Sequence, residues 1–238
     1  MSRIYTIEDK HYYSVTTILG MLDKPTLVPW AAKMTAAKFK ELVLAKLPSD
    51  LIADDLDEIE ILAKKDYRNQ SKTAMSYGTI VHDLIENYCK TGIDPDLKDD
   101  AIEVQTAWAA WMEWVTVHDF EPLCHELEVC NPVVEYAGRL DTIGKVDGVL
   151  TLIDFKTSTG IYDDMLYQLA AYNMALTEEY FDIKQAGILR LDKATGLPEW
   201  KVYDLDDLAR GWEIFRHLAY AYRLIKGEPQ PKKERTKK

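Results

Sequence analysis

An aspartate and a lysine two residues apart, Asp154 and Lys156, end an apolar run that begins at Val149. A β-strand places alternate side chains on one face, so we expect this carboxylate and this ammonium group to project together. Charges in a buried strand are costly unless they pair with each other or bind an ion. The pair is therefore a candidate for catalysis or for metal binding.

Asp141 supplies a second carboxylate from the preceding strand-like segment. Asp147-Gly148, between the two segments, is a strong signal for a hairpin turn, which brings Asp141 back towards Asp154 and Lys156. Two carboxylates suit a hard cation such as Mg²⁺ or Mn²⁺, and the lysine can orient an attacking water or offset charge in the transition state. A plain ion pair between Lys156 and one of the aspartates is the alternative.

Two helices carry further candidates. His82 lies near the start of the predicted helix 79–90, as a packed side chain or as an additional ligand that would favour Mn²⁺. Gln168 and Tyr172 are four residues apart on the predicted helix 161–176, so they lie on the same side of it. They either form hydrogen bonds at the edge of the core or position the lysine or a phosphate.

Glu126 and Glu128 share one face of a predicted strand, and either could approach a metal; an exposed edge strand is the competing explanation. Trp108, Trp111 and Trp114 recur at helical spacing. This spacing fits a base-stacking platform, but it is more typical of a packed stripe of the core.

The composition describes an ordinary globular protein. The chain has 238 residues, of which 47% are hydrophobic and 29% charged, and a formal net charge of −11. This charge argues against broad coating of nucleic acid, but not against a nucleic-acid enzyme whose acids bind cations. We expect no membrane span, no signal peptide and a cytoplasmic location. Three cysteines without a Cys-x-x-Cys pair argue against a disulfide framework.

The apolar periodicities predict an α/β protein. Helices are predicted at residues 28–39, 49–67, 79–90, 102–117, 161–176 and 205–226, and strands at residues 12–18, 122–134, 136–145, 149–156, 186–191 and 200–203. The crossover helix after Lys156 permits a parallel neighbour for the strand that carries it. We divide the chain into a helical extension (1–75), a core (76–228) and a disordered basic tail (229–238).

Five motifs together resemble the RecB-like nucleases of the PD-(D/E)XK superfamily, especially phage and prophage exonucleases and the mitochondrial genome maintenance exonuclease. The similarity covers residues 12–190. The motifs are Gly78-x-x-x-His82, the upstream Glu126, Gly138-Arg139-Leu140-Asp141, Ile153-Asp154-Phe155-Lys156-Thr157-Ser158 and Gln168-x-x-x-Tyr172. The N-terminal segment 14–19 and Trp30 also look like the phage branch.

The resemblance implies a restriction-endonuclease-like core, a mixed sheet flanked by helices. It implies a site for Mg²⁺ or Mn²⁺, with two ions held by His82, Asp141, Asp154 and the Phe155 carbonyl. Lys156 would be the catalytic lysine, with Gln168 and Tyr172 as its supporting pair and Glu126, rather than Glu128, as the upstream glutamate. No iron–sulfur cluster is expected, because no cysteine follows Cys130.

The expected activity is that of a metal-dependent exonuclease acting on DNA ends or single strands, in a bacterial or phage-infected cell. DNA and proteins of recombination or replication are the expected partners. The helical segments at residues 28–72 would form an arch that restricts access to a free strand. Two alternatives stay open: a noncatalytic DNA-binding or assembly module that retains the nuclease fold, and a hydrolase of small phosphate esters.

Overall fold

The computed structural model describes residues 3–25, 27–46, 52–176 and 181–230. These residues form seven strands: β1 (Ile4–Ile7), β2 (Lys10–Ser14), β3 (Phe120–Asn131), β4 (Tyr136–Val146), β5 (Val149–Lys156), β6 (Gln185–Leu191) and β7 (Pro198–Tyr203). They also form six helices: α1 (Val15–Leu19), α2 (Leu27–Lys46), α3 (Ala53–Thr91), α4 (Ile102–Val117), α5 (Asp163–Ala175) and α6 (Leu205–Lys226). No helix of these residues has both the length and the apolar character needed to cross a membrane.

The strands form one mixed sheet with the order β1-β2-β4-β5-β6-β7, and β3 pairs with β4 outside that path. The β2–β4 and β5–β6 pairs are parallel and the other pairs are antiparallel. The chain is thus an α/β protein with a mixed seven-stranded sheet flanked by helices, as the sequence predicts.

The β4–β5 hairpin forms at Asp147-Gly148. Both residues have positive φ, 52° and 81°, and Val146 pairs with Val149. A two-residue hairpin turn with positive φ at both positions matches the right-handed twist of the strands, which is why Asp-Gly favours it. The hairpin predicted from the sequence is therefore confirmed.

Helices cover both faces of the sheet. On one face, α1, α5 and α6 enclose a core in which Leu152 and Ile188 pack with Leu169 and Phe215. On the other face, α4 packs Trp111 against Phe155, with 5.5 Å between the ring centroids. All three tryptophans of α4 are buried, so they form the packed stripe and not a base-stacking platform.

Two compact units divide the chain: Met1–Leu22 with Val81–Lys238, and Asp23–Ile80. The first contains the sheet. The second contains α2 and the first part of α3, where Lys46 forms an ion pair of 2.6 Å with Asp55. Residues 1–75 are predicted from the sequence as a helical extension, but β1 and β2 belong to the sheet.

Three local predictions need correction. The two helices predicted at residues 49–67 and 79–90 are one helix, α3, because the polar segment between them contains no proline and polarity alone does not end a helix. Residues 49–51 lie outside the described residues. The strand predicted at 12–18 ends at Ser14, whose hydroxyl accepts from Thr17 N at 3.0 Å and caps α1. Finally, β1 has no counterpart in the prediction.

The predicted tail begins with Pro229, which is buried, and Gln230, which is exposed. Neither residue is in a helix or strand. The rest of the tail, residues 231–238, lies outside the described residues.

Candidate metal centre

Asp154 and Lys156 project from the same face of β5 and form an ion pair. Lys156 Nζ lies 2.5 Å from Asp154 Oδ2, and Asp154 is 1% exposed. Gln168, on α5, donates from Nε2 to Asp154 Oδ1 at 2.9 Å and accepts from Lys156 Nζ at 3.3 Å. Its Nε2 also donates to the Tyr172 hydroxyl at 3.2 Å. Gln168 therefore binds both members of the buried pair and links them to Tyr172.

Asp154 Oδ2 is the one buried oxygen of this group that lacks a hydrogen bond. Among the described residues it has the ion-pair contact with Lys156, but no aligned hydrogen-bond donor. The charge of Lys156 offsets that of this buried oxygen, which retains room for a further partner such as a water or an ion. Asp154 Oδ2 therefore fits a role as a ligand atom.

Asp141 lies on β4 between the segment that pairs with β2 and the segment that pairs with β5. Along one edge of β4, β2 pairs with Tyr136 and Ala137, and β5 pairs from Thr142 onwards. Asp141 thus lies at a fork in the sheet, one position beyond the last registered β4–β5 pair. Its Oδ2 accepts the backbone N–H of Phe155 at 2.8 Å, which replaces the strand-to-strand bond with a bond to the side chain.

His82 approaches the same carboxylate from α3. Its Nδ1 lies 3.5 Å from Asp141 Oδ2, and its ring packs edge-on against Phe155 at a centroid distance of 5.9 Å. Phe155 therefore contributes to the site through its N–H and its ring. Coordination of a metal by its carbonyl stays a prediction.

Glu126 completes a cluster of three ligands. One donor atom each of His82, Glu126 and Asp141 lies within 4.8 Å of the others, so these residues could hold a metal ion. Glu126 has a φ of 51°, which only a few per cent of non-glycine residues adopt. Its neighbours His125 and Leu127 pair with Thr142 and Leu140 in an unchanged register, which places Glu126 opposite Asp141. Glu128, the alternative glutamate, does not belong to the cluster.

The pocket at this cluster is also lined by residues that are not predicted from the sequence. It is lined by His82, Glu126, Asp141 and Phe155, together with Glu86, His125 and Thr142. His125 Nδ1 lies 2.5 Å from the Thr142 hydroxyl. Glu86 follows His82 by four residues on one helix, and this spacing could have identified it. Nothing in the sequence signals His125, because its place depends on the pairing of β3 with β4.

The charges of the site depend on one another. Burial lowers the pKa of His82, but the Asp141 carboxylate more than offsets this and raises it to about 9. Burial would raise the pKa of Asp141, but the charge on His82 holds it below its usual value. Burial raises the pKa of Asp154 to about 6, against the opposing effect of Lys156. For Lys156, burial lowers the pKa and the two aspartates raise it by more, so the ammonium group stays charged.

The arrangement consists of two adjoining groups. His82, Glu126 and Asp141 form the cluster of possible ligands, while Asp154 is bound to Lys156 and Gln168. The two groups adjoin, because Asp141 binds the backbone N–H of Phe155, the residue after Asp154. An imidazole and hard carboxylates suit a divalent cation.

Against known proteins, the sequence matches no family model and no curated protein.

Proposed function

We propose that the protein is a Mg²⁺- or Mn²⁺-dependent deoxyribonuclease, an exonuclease that hydrolyses phosphodiester bonds at DNA ends or in single strands. The supporting observation is the buried Asp154–Lys156 pair, bound at both members by Gln168 beside the cluster of His82, Glu126 and Asp141. The order of these motifs on a hairpin and a crossover helix supports a restriction-endonuclease-like core.

The cation would be held by His82, Glu126, Asp141 and the Oδ2 atom of Asp154. A bound divalent cation supplies Lewis-acid polarisation of the phosphate, lowers the pKa of water and stabilises the leaving oxygen. The negative charges of the ligands suit a cation, because the carboxylates of the cluster would repel one another without it. They would also repel DNA, so neutralisation by the cation is what makes the site attractive to phosphate.

Lys156 acts as a cation in this proposal. In the metal-free protein the two aspartates raise its pKa, so it is protonated at neutral pH. A charged ammonium group stabilises the negative charge that develops on the phosphate and orients a water through its N–H groups. Gln168 fixes the position of the lysine, and Tyr172 in turn fixes Gln168.

DNA with a free end is the substrate that we propose, with proteins of recombination or replication as partners. The net charge of −11 disfavours tight, unspecific binding of long duplexes, since phosphate contacts by cations supply most of such binding. A local cation site gives attraction only where the strand enters. This favours an enzyme that acts on one strand at a time.

The test uses end-labelled linear single and double strands and closed circular single strands, with Mn²⁺ or Mg²⁺. We expect linear DNA to be degraded, closed circles to persist, and Lys156→Ala to lose at least about 100-fold in rate. Lys145→Ala is the matched control, since Lys145 lies on the same hairpin and pairs with Glu121 at 2.9 Å.

Equal cleavage of closed circles would remove the end requirement. Hydrolysis of a small phosphate monoester without any cleavage of DNA would overturn the nuclease proposal. DNA binding without cleavage under any metal would instead indicate a noncatalytic module.

A further inference from the structure

Arg139 lies on β4, two residues before Asp141, so the two side chains leave the same face of the strand. Its Nε lies 2.7 Å from Oε2 of Glu126, which belongs to the ligand cluster. Arg139 therefore adjoins the candidate metal centre, although it is not part of the cluster. Its exposed fraction of 43% shows that water reaches the guanidinium group.

Only one edge of this guanidinium is used by the described residues. Among the residues that the structure describes, Arg139 forms its ion pair with Glu126 through Nε, and neither Nη atom has a partner. The guanidinium carries its N–H donors in one plane and matches two oxygens of a phosphate at once. The Nη edge of Arg139 is thus exposed to solvent and has the geometry to bind a phosphate.

The other cations near the pocket are occupied. Lys156 is bound to Asp154 and Gln168, and Lys90 on α3 is paired with Glu86, which lines the pocket. A phosphodiester chain that reaches the cluster needs a positive partner besides the cation, because carboxylates surround the site. Among the described residues, Arg139 is the cation of this region that still has N–H donors without a partner.

We infer that Arg139 is a substrate-binding residue. Its Nε forms the ion pair with Glu126, and its Nη atoms bind the phosphodiester group of the DNA strand that is next to the scissile one. This inference rests on the proposed nuclease function. It also accounts for the orientation of Glu126, because an ion pair at Oε2 leaves Oε1 free for a cation. Arg139 would then couple the ligand cluster to the strand.

The experiment compares Arg139→Gln and Arg139→Lys with Arg216→Gln in the full chain. Arg216 is the matched control, since it is 42% exposed and pairs with Glu213 at 2.5 Å on α6, outside the site. Binding of a fluorescein-labelled single-stranded oligonucleotide is measured by anisotropy in Ca²⁺, over a range of salt concentrations. Binding of Mn²⁺ alone is measured by calorimetry.

For Arg139→Gln we expect oligonucleotide affinity to fall about tenfold and the salt dependence to lose about one phosphate contact. In Mn²⁺, KM for the labelled strand should rise while kcat stays within about threefold, and Mn²⁺ affinity should change by less than about threefold. Arg139→Lys should keep the salt dependence but not the full affinity, because it keeps the charge and loses the planar fork. Arg216→Gln should match the unmodified protein.

The inference is overturned if Arg139→Gln binds the oligonucleotide as Arg216→Gln does. It is also overturned if Mn²⁺ affinity falls as much as oligonucleotide affinity, since Arg139 would then act only through Glu126. If Arg139→Gln does not fold by circular dichroism, Arg139→Lys decides, and unchanged binding by that variant overturns the inference. An unmodified protein that neither binds nor cleaves DNA would instead remove the proposed function itself.

Discussion

Gly138 packs so closely against Tyr172 that a β-carbon on the glycine would lie 2.5 Å from Cε1 of the tyrosine ring. Gly138 lies on β4 at the fork of the sheet, and Tyr172 is buried on α5. The tyrosine hydroxyl accepts a hydrogen bond from Gln168, which binds Asp154 and Lys156. Because Gly138 has no side chain, there is room for Tyr172, the last residue in this series of contacts.

Gly138→Ala should therefore disturb both stability and activity. The Tyr172 ring is enclosed and cannot move away freely, so we expect a loss of about 1–3 kcal/mol in the free energy of unfolding, as for other overpacked cores. Displacement of the ring should weaken its bond to Gln168 and lower kcat. Chemical denaturation and initial rates of DNA hydrolysis test this.

Gly160→Ala is the control for that change. A β-carbon there would meet its nearest neighbour at 3.7 Å, which is ordinary contact, so the free energy of unfolding should change by less than about 0.5 kcal/mol. Equal losses in both alanine variants would show that the contact with Tyr172 is not the cause.

Gln168→Ala should lower the rate of hydrolysis about 10–100-fold, because it removes the side chain that orients both Asp154 and Lys156. KM for DNA should change little, since Gln168 holds the residues of the site and not the strand. Gln185→Ala is a suitable comparison: its amide also donates to a side chain, Thr151 Oγ1 at 3.0 Å, but on another part of the sheet. Steady-state kinetics of both variants decide, and equal rates would contradict the positioning role.

The sequence predicts the parts of the site that depend on local geometry. The alternation of a strand places Asp154 and Lys156 on one face, and Asp147-Gly148 specifies the hairpin that carries Asp141. The remaining contacts depend on long-range pairing. The positive φ of Glu126 and the fork beside Asp141 arise from how β2, β3 and β5 meet β4, and no local pattern encodes that meeting.

Among the helices, too, those with a clear local signal are predicted and one without it is missed. Residues 102–117 and 205–226 are predicted with the bounds that the structure has, since their apolar periodicity is a local signal. The single helix α3 is missed because its middle is polar, and its continuity does not depend on an apolar stripe.

Mn²⁺ binding should become tighter as pH rises. The imidazole of His82 has a pKa of about 9 in the metal-free protein, so it carries a proton at neutral pH, and a ligand must release that proton. Near pH 7 each ion bound should therefore displace about one proton, and near pH 9 about half of one. Calorimetry in buffers of different ionisation enthalpy measures the number released.

His82→Gln is the comparison, because glutamine has no proton to release. Its Mn²⁺ affinity should be lower and should vary less over the same pH range. The metal-free unmodified protein should show the converse linkage: the raised pKa stabilises the fold below about pH 6.5, and this contribution is lost as pH rises through about 9. A proton release near zero in the unmodified protein would exclude His82 as a ligand.

At position 126 the glycine variant should be more stable than the alanine variant, and at position 128 the order should be reversed. Glu126 has positive φ, where glycine is unstrained and alanine is not, so Glu126→Gly should be more stable than Glu126→Ala by about 1 kcal/mol. Glu128 lies outside the positive-φ region, so there alanine should be the more stable by about 0.5–1 kcal/mol. Denaturant unfolding of the four variants tests the reversal of sign.

The same four variants also separate the two glutamates by function. Both substitutions of Glu126 should abolish tight Mn²⁺ binding, whereas both substitutions of Glu128 should retain it, because only Glu126 belongs to the cluster. Retained binding after the loss of Glu126 would show that the strained backbone serves some other purpose.

Phe155 contacts both the ring of His82 and the ring of Trp111. Trp111 is fully buried, and its indole N–H has no acceptor among the described residues. The unlabelled molecule therefore carries its own optical reporter next to the ligands. Occupancy of the centre can be followed through indole emission, with Trp111→Phe as the blank, in samples that contain no DNA.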